Sequence, residues 1–264
     1  MDNLEKVFED TVSLFSSDET LKKSCELTRK KQKFYDESIV FPEKTQLEDE
    51  TEIIVSKKSS FEAASFYSRE GKKTCVLNFA NSFNPGGGVV YGARAQEECL
   101  CRVSTLYFAL CAPEMLSRFY EKHRETFDDL GTDDIIYSPC VTVFKGDSDL
   151  TLMKNSDWFS VDVLTCAAPD LNDVDLSGDE IFALHEKRWS KILAVAKENG
   201  VDSLVLGAFG CGAFRNPPQI VAQAAKKALK KYRGAVKTIE FAIKCVRDKD
   251  SANYEAFKNA FSAQ

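Results

Sequence analysis

This chain lacks a surplus of basic residues. Its 35 Lys and Arg are outnumbered by 41 Asp and Glu, for a formal net charge of −6 and a pI near 5.2. Proteins that bind nucleic acid in general show a basic footprint, so duplex or single-strand binding is not expected. A polyanion held by backbone amides stays open, because that mode needs no extra lysine. No run of eighteen apolar residues occurs, so no membrane span is expected. The opening Met1-Asp2-Asn3-Leu4-Glu5-Lys6 has neither a basic start nor an apolar core, and a secretory signal is not expected. Histidine is scarce: only His123 and His185, each beside charged residues (Lys122 and Arg124, Glu186 and Lys187). Both read as solvated groups on polar helix faces. With no histidine near a glycine loop, a Ser-His or Cys-His hydrolase has little support. The nine cysteines form no pair of Cys-x-x-Cys motifs, so a structural zinc site is not expected. Most lie in apolar segments, as reduced thiols would in a cytoplasmic protein (or a nuclear one in a eukaryote). No acidic cluster has metal-ligand spacing, and neither a metal nor a cofactor is expected.

What is present supports a packed α/β domain. The hydrophobic share is 44%, enough for a sizeable core. Leu4, Val7, Phe8, Val12 and Phe15 fall near helical spacing, and the first thirty-odd residues read as helical. A polar stretch from Lys33 to Ser59 holds two strand-like pieces, 38–41 and 52–55. Residues 1–60 are read as a mainly helical N-terminal extension packed on a main domain of residues 61–264. From Lys73 onward, strands alternate with helices. Strands are expected at 74–79, 135–137, 141–144, 161–166, 203–206 and 238–243, with Ser138-Pro139 separating the second from the third. Helices are expected at 97–111, 113–127, 179–199, 217–232 and 254–261. Such alternation implies a sheet with helices on both faces.

Two glycine loops carry the chemistry. The first, Gly86-Gly87-Gly88, follows an apolar strand and is followed after seven residues by Gln96-Glu97-Glu98. Glycine lets backbone N–H groups come close to a ligand, which is how a loop holds phosphate without lysine. The second, Gly207-Ala208-Phe209-Gly210-Cys211-Gly212-Ala213-Phe214, also lies between a strand and a helix. Tight turns use the same residues, and neither loop matches a P-loop or a dinucleotide fingerprint. Glu97 and Glu98 have a plain account as acids in a first helical turn, with Glu98 and Arg102 spaced as a surface pair. They also have a chemical one, as a candidate acid or base beside whatever the loops position. Adjacent residues cannot flank one glycosidic bond as two carboxylates must, so at most one is the acid/base. Cys211 reads as a small residue in a tight loop, with a reactive thiol as the alternative.

With these residues in hand, the chain resembles the macrodomain superfamily and, within it, the bacterial-type poly(ADP-ribose) glycohydrolases. Gly86–Gly88 with Gln96–Glu98 is similar to that family's signature, and Asn78-Phe79-Ala80-Asn81 resembles its Asn-Ala-Ala-Asn segment. Ile136-Tyr137-Ser138-Pro139 with Val141–Phe144, Ala168-Pro169-Asp170 (Asp in place of the usual Asn) and Gly207–Phe214 with Asn216-Pro217-Pro218 extend the likeness over about residues 60 to 245. The resemblance implies a macrodomain-like three-layer α/β/α sandwich with a central mixed sheet. It implies hydrolysis of the ribose–ribose O-glycosidic bond from chain ends, releasing ADP-ribose, by a monomer that binds ADP-ribose or poly(ADP-ribose), including polymer on modified proteins. Glu98 would be the acid/base, and Glu97 would hold ribose hydroxyls. The N–H groups of Gly86, Gly87 and Gly88 and of Gly210, Cys211, Gly212 and Ala213 would grip the diphosphate, so a side chain at Gly87 would crowd it. Phe214 would pack on the distal ribose and Asn81 or Asn84 would bind its hydroxyls. Asn78 and Gln96 complete the implied binding set. A hydrolase of single ADP-ribose units and a non-catalytic ADP-ribose binder are the alternatives.

Overall fold

The computed structural model describes residues 3–41, 50–246 and 248–262. Two helices open the chain, α1 (Leu4–Ser17) and α2 (Glu19–Lys31). Asp18 separates them: its backbone ends α1, while its carboxylate accepts the N–H groups of Thr20 and Leu21 and so starts α2. The first strand is β1 (Lys33–Tyr35), not the 38–41 segment expected from sequence. Asp36 caps a turn by accepting Ser38 N–H, and beyond it Val40 is solvent-exposed. Part of the polar stretch, residues 42–49, lies outside the described residues.

The strands β2 (Glu52–Ser56), β3 (Thr74–Ala80), β4 (Ile135–Val143), β5 (Phe159–Ala167), β6 (Ser203–Leu206) and β7 (Thr238–Ala242) complete a seven-stranded mixed sheet of order β1-β4-β5-β3-β6-β7-β2. From β5 to β2 neighbouring strands run parallel, while β4 is antiparallel to both β5 and β1. Residues from the first sixty thus supply both edge strands. The interruption expected at Ser138-Pro139 is a bulge inside a single β4. Pro139 has no N–H for the ladder, Cys140 takes φ 58°, and its N–H turns to the Asp162 carboxylate instead.

The remaining helices are α3 (Ser60–Arg69), α4 (Gln96–Val103), α5 (Leu106–Leu110), α6 (Pro113–Met115), α7 (Lys122–Thr126), α8 (Gly178–Glu198), α9 (Pro218–Lys231) and α10 (Asp248–Phe261), with a π-helical turn over Leu116–Glu121. The helix expected over 97–111 breaks at Ser104–Thr105, where Thr105 N–H bonds Thr142 O on β4 rather than continuing α4. Side chains along a strand alternate between faces. On β3, Cys75 and Leu77 therefore join Trp189, Ile192, Val221 and Phe257 on one side, while Val76 and Ala80 join Phe61, Leu100 and Phe119 on the other. Both faces of β3 are covered, as its near-continuous apolar run requires. Among the described residues no helix is long and apolar enough to cross a membrane.

The strand order places β3 at the point where the chain turns first toward β4 and β5 and later toward β6 and β7. In open α/β sheets this crevice beyond the strands' carboxyl ends is where ligands bind. The loops after β5, β3 and β6 all open there.

Candidate active site

The signature glutamates sit in the first turn of α4, and a single side chain sets where that turn lies. The amide of Gln96 donates to Leu77 O (2.7 Å) and Ser60 Oγ (3.0 Å) and accepts Phe79 N–H (2.9 Å). Gln96, expected to touch the ligand, is thus engaged with β3 and α3, and it fixes α4 against the end of the central strand.

Glu97 is buried, and protein groups hold both of its oxygens. Asn78 Nδ2 donates to Oε1 (3.0 Å) and Asn81 N–H to Oε2 (2.7 Å). The Gly86 backbone lies on the same side and also favours the charged form of this carboxylate. Burial nevertheless dominates and pushes the Glu97 carboxyl up to about 8, against the lowering by these donors and with a further rise from the Glu98 charge. Asn78 is fully buried, and its Nδ2 is shared between Glu97 and Thr165 Oγ1. Its role is to seat Glu97. Asn81 Oδ1 is taken up by the turn that follows, accepting the N–H groups of Phe83 and Asn84. The Asn84 side chain is exposed at the mouth of the loop.

Glu98 differs from its neighbour in one decisive respect. Its Oε1 accepts Gly88 N–H at 2.9 Å, while Oε2 is buried without a hydrogen-bond partner among the described residues. A buried carboxylate oxygen left unpaired is costly unless a ligand completes it. The surface pair with Arg102 is not what forms. Arg102 is 1% exposed and donates to Ala93 O, holding the chain between the glycines and α4.

The first glycine loop therefore has another use than the one expected. Gly87 N–H goes to Asn84 O and that of Gly88 to Glu98, while that of Gly86 lies on the Glu97 side and favours its charged form. The Gly87 and Gly88 N–H groups are thus engaged with the turn and with Glu98 and are not available to a diphosphate. Gly87 has φ 55°, and a Cβ there would overlap Glu98 Oε1 and stand 3.2 Å from Glu97 Oε2. A side chain at Gly87 would crowd the glutamates.

The second loop supplies the free donors. Among the described residues the N–H groups of Gly210, Gly212, Ala213 and Phe214 have no acceptor in the protein, whereas that of Cys211 bonds Ala208 O. Successive unpaired amides on a glycine turn form an anion-binding concavity. The Cys211 thiol is pushed well up by burial alone, which suits a packing role and not a nucleophile. Phe214 is half-buried against the sheet core, and its carbonyl accepts Leu171 N–H. Arg188, buried on α8, ties the neighbouring loops together through Asp133 Oδ1 (3.0 Å), Ala167 O (2.9 Å) and Leu130 O (3.0 Å).

Both histidines are buried rather than solvated, at 1% and 0% exposure. His123 bonds Phe119 O through Nδ1 and Thr132 Oγ1 through Nε2. His185 lies beneath the second glycine loop, bonded to Asn216, contrary to the expectation that no histidine approaches either loop. Asn216 and Arg188 are residues that sequence reasoning left without a role here, and Arg102, read there only as a surface partner of Glu98, is buried instead. Among the described residues no group of three or more His, Cys, Asp and Glu could hold a metal ion.

Comparison with known proteins supplies the family and agrees with the fold. The family model of the microbial-type PARG catalytic domain matches residues 6–146. The poly(ADP-ribose) glycohydrolase (PARG) of Thermomonospora curvata is 27% identical, with a TM-score of 0.86 over 98% of this chain and 99% of that one. Its structure bound to the inhibitor ADP-HPD aligns with a TM-score of 0.85 at the same identity and coverage. The PARG of Deinococcus radiodurans in complex with ADP-ribose is 30% identical, with a TM-score of 0.81 over 91% of this chain and 98% of that one. No curated protein sequence matches significantly. The signature at the end of the central strand, the seating of its two glutamates and the matched model together make this chain a member of the microbial-type PARG family.

Proposed function

We propose that the protein is a poly(ADP-ribose) glycohydrolase that cleaves the ribose–ribose O-glycosidic bond and releases ADP-ribose from chain ends. The observation that carries this reading is the buried Oε2 of Glu98, unpartnered among the described residues, set beside a carboxyl that burial pushes up to about 8 and a loop with four amides lacking an acceptor there. The ligand diphosphate lies on the amides of Gly210, Gly212, Ala213 and Phe214, which neutralise it without a cation. That pins the adjoining ribose with its glycosidic oxygen toward Glu98. Oε2, protonated, gives its proton to the leaving ribose oxygen as the C–O bond breaks and positive charge spreads over the ring oxygen and the anomeric carbon. The resulting carboxylate then takes a proton from water as that water adds to the anomeric carbon, which restores Glu98. Gly88 N–H holds Oε1 throughout, so only one oxygen takes part. Neutral Glu97 adds no negative charge beside the proton on Glu98 and the ligand diphosphate, and faces the ribose hydroxyls. A pure ADP-ribose reader has no use for an acid in this place.

The test is incubation of the purified protein with poly(ADP-ribose) and chromatography of the products over time. Free ADP-ribose from the earliest points is expected. Oligomers appearing first would overturn action at chain ends. An intact polymer, with single ADP-ribose units released from modified protein, would replace the proposal by the single-unit hydrolase.

A further inference from the structure

The anion-binding loop turns through Gly210 at φ 76° and Arg215 at φ 56°, the latter a conformation that a residue with a side chain seldom adopts. Something must hold it there, and Asn216 does so from below. Asn216 is 2% exposed. Its Nδ2 reaches three carbonyls: Pro169 O (2.7 Å), Gly210 O (3.0 Å) and Phe214 O (3.2 Å). Its backbone N–H also bonds Gly210 O. The loop after β5 and the loop after β6 are thereby tied to one amide. A Cβ on Gly210 would stand 2.7 Å from that same Nδ2 and from Ala168 Cβ, so nothing larger than glycine fits above the knot.

The remaining atom of this amide, Oδ1, lies 2.8 Å from His185 Nε2. Three surrounding carbonyls fix Nδ2 toward themselves, which leaves Oδ1, an acceptor, facing the imidazole. His185 must therefore carry its proton on Nε2. Its Nδ1 is buried without a partner among the described residues, consistent with an unprotonated nitrogen there. Burial pushes the imidazole down to about 4, and the flanking Arg188 acts in the same direction, against the bond to Asn216. The ring stands edge-on to Phe209 of the loop, 6.1 Å between centroids. The groups facing His185 are thus neutral or, in Arg188, cationic, and none favours its charged form apart from the Asn216 amide.

We propose that His185 is a positioning residue: through Asn216 it pre-orders the Gly210–Phe214 loop so that its free amides face the ligand diphosphate. This rests on the glycohydrolase reading only for the identity of the ligand. The effect belongs to binding, because the knot touches the loop and not the glutamates.

The experiment compares native protein with His185→Phe, which keeps a ring against Phe209 but removes the donor, and His185→Gln, whose amide can restore a donor near Nε2. Calorimetry with ADP-ribose, kcat and KM on poly(ADP-ribose), and backbone amide exchange are measured for each. His185→Phe is expected to weaken ADP-ribose binding and raise KM by about tenfold or more, with kcat within about threefold. Exchange protection of the Asn216 N–H is expected to fall, and His185→Gln to recover most of the loss. Unchanged ADP-ribose affinity and unchanged Asn216 protection in His185→Phe would overturn the proposal, as would an equal fall in kcat without a change in KM. If native protein binds no ADP-ribose, the glycohydrolase reading fails while Asn216 exchange still decides the positioning role. Should His185→Phe not fold, nitrogen NMR of native His185 decides: a single neutral Nε2–H tautomer from pH 5 to 8 is expected, and an Nδ1–H tautomer or a titration in that range overturns it.

Discussion

Replacing Glu97 by Gln tests whether burial or hydrogen bonding governs the glutamate pair. In the folded protein the Glu97 carboxyl is pushed from the ordinary 4.5 up to about 8. A carboxyl raised on folding binds its proton more tightly in the native state. Its contribution to stability is complete below pH 4.5 and is lost as pH rises through 8. His185 runs the other way, since its fall from 6.5 to about 4 makes stability increase with pH across that interval. The clean window for Glu97 is therefore pH 6.5 to 8. Over those roughly 1.5 pH units, at about 1.4 kcal/mol per unit, the native protein should lose roughly 2 kcal/mol that the Gln variant does not. The variant can keep the local bonds, because Asn78 Oδ1 is buried without a partner among the described residues and can accept from the new amide if the Asn78 side chain turns over. The assay is urea denaturation of both proteins at half-unit steps from pH 5 to 9, read as the difference between them. His185 cancels in that difference. Parallel curves would show that the bonds from Asn78 and Asn81 hold Glu97 ionised, and burial would not govern it.

Three further outcomes follow from the same geometry. The kcat/KM of the native enzyme should fall above about pH 8 as Glu97 ionises beside Glu98 and the diphosphate; a flat profile to pH 9.5 would contradict this, as would an unchanged limb in Glu97→Gln. Gly87→Ala should cut kcat by about tenfold or more, because its Cβ overlaps Glu98 Oε1, while leaving ADP-ribose affinity within about threefold, because the diphosphate rests on the other loop. Stopped kinetics and calorimetry on one sample separate the two effects, and lost affinity with intact kcat would return the diphosphate to the first loop. Arg188→Met should cost about 3–5 kcal/mol in chemical denaturation, since among the described residues it leaves buried Asp133 with only the exposed Lys187 as ion-pair partner; a cost under about 1 kcal/mol would mean that Lys187 suffices.

The alternation of strands and helices was readable from residue 73 onward because the buried parallel strands are short apolar runs and the helices carry apolar stripes. The edge strand Lys33–Tyr35 was not, since only Tyr35 of its three residues is buried. Pro139 read as a break because a missing N–H does interrupt a ladder, yet a bulge absorbs it within one strand. The signature placed Glu97 and Glu98 at the site, but not which donors serve them. A glycine says that a backbone can approach something, and only the fold shows that Gly86 and Gly88 approach carboxylates. His185 could have been recognised. Ile181, His185 and Trp189 are four residues apart on the buried face of α8, and the charged neighbours Glu186 and Lys187 obscured that stripe. Asn216 follows the loop without any periodic signal, and its importance comes from three carbonyls that converge only in the folded chain.

The measurement that bears most directly on the central claim is hydrolysis of poly(ADP-ribose) by Glu98→Gln, paired with calorimetric ADP-ribose binding by the same variant. Gln keeps an acceptor for Gly88 N–H and removes the proton that Oε2 would deliver. The account predicts ADP-ribose release reduced by about 10²–10⁴-fold with affinity preserved within about threefold. Release at the native rate by a folded variant that still binds ADP-ribose would show that Glu98 is not the acid, and that its unpartnered oxygen has been misread.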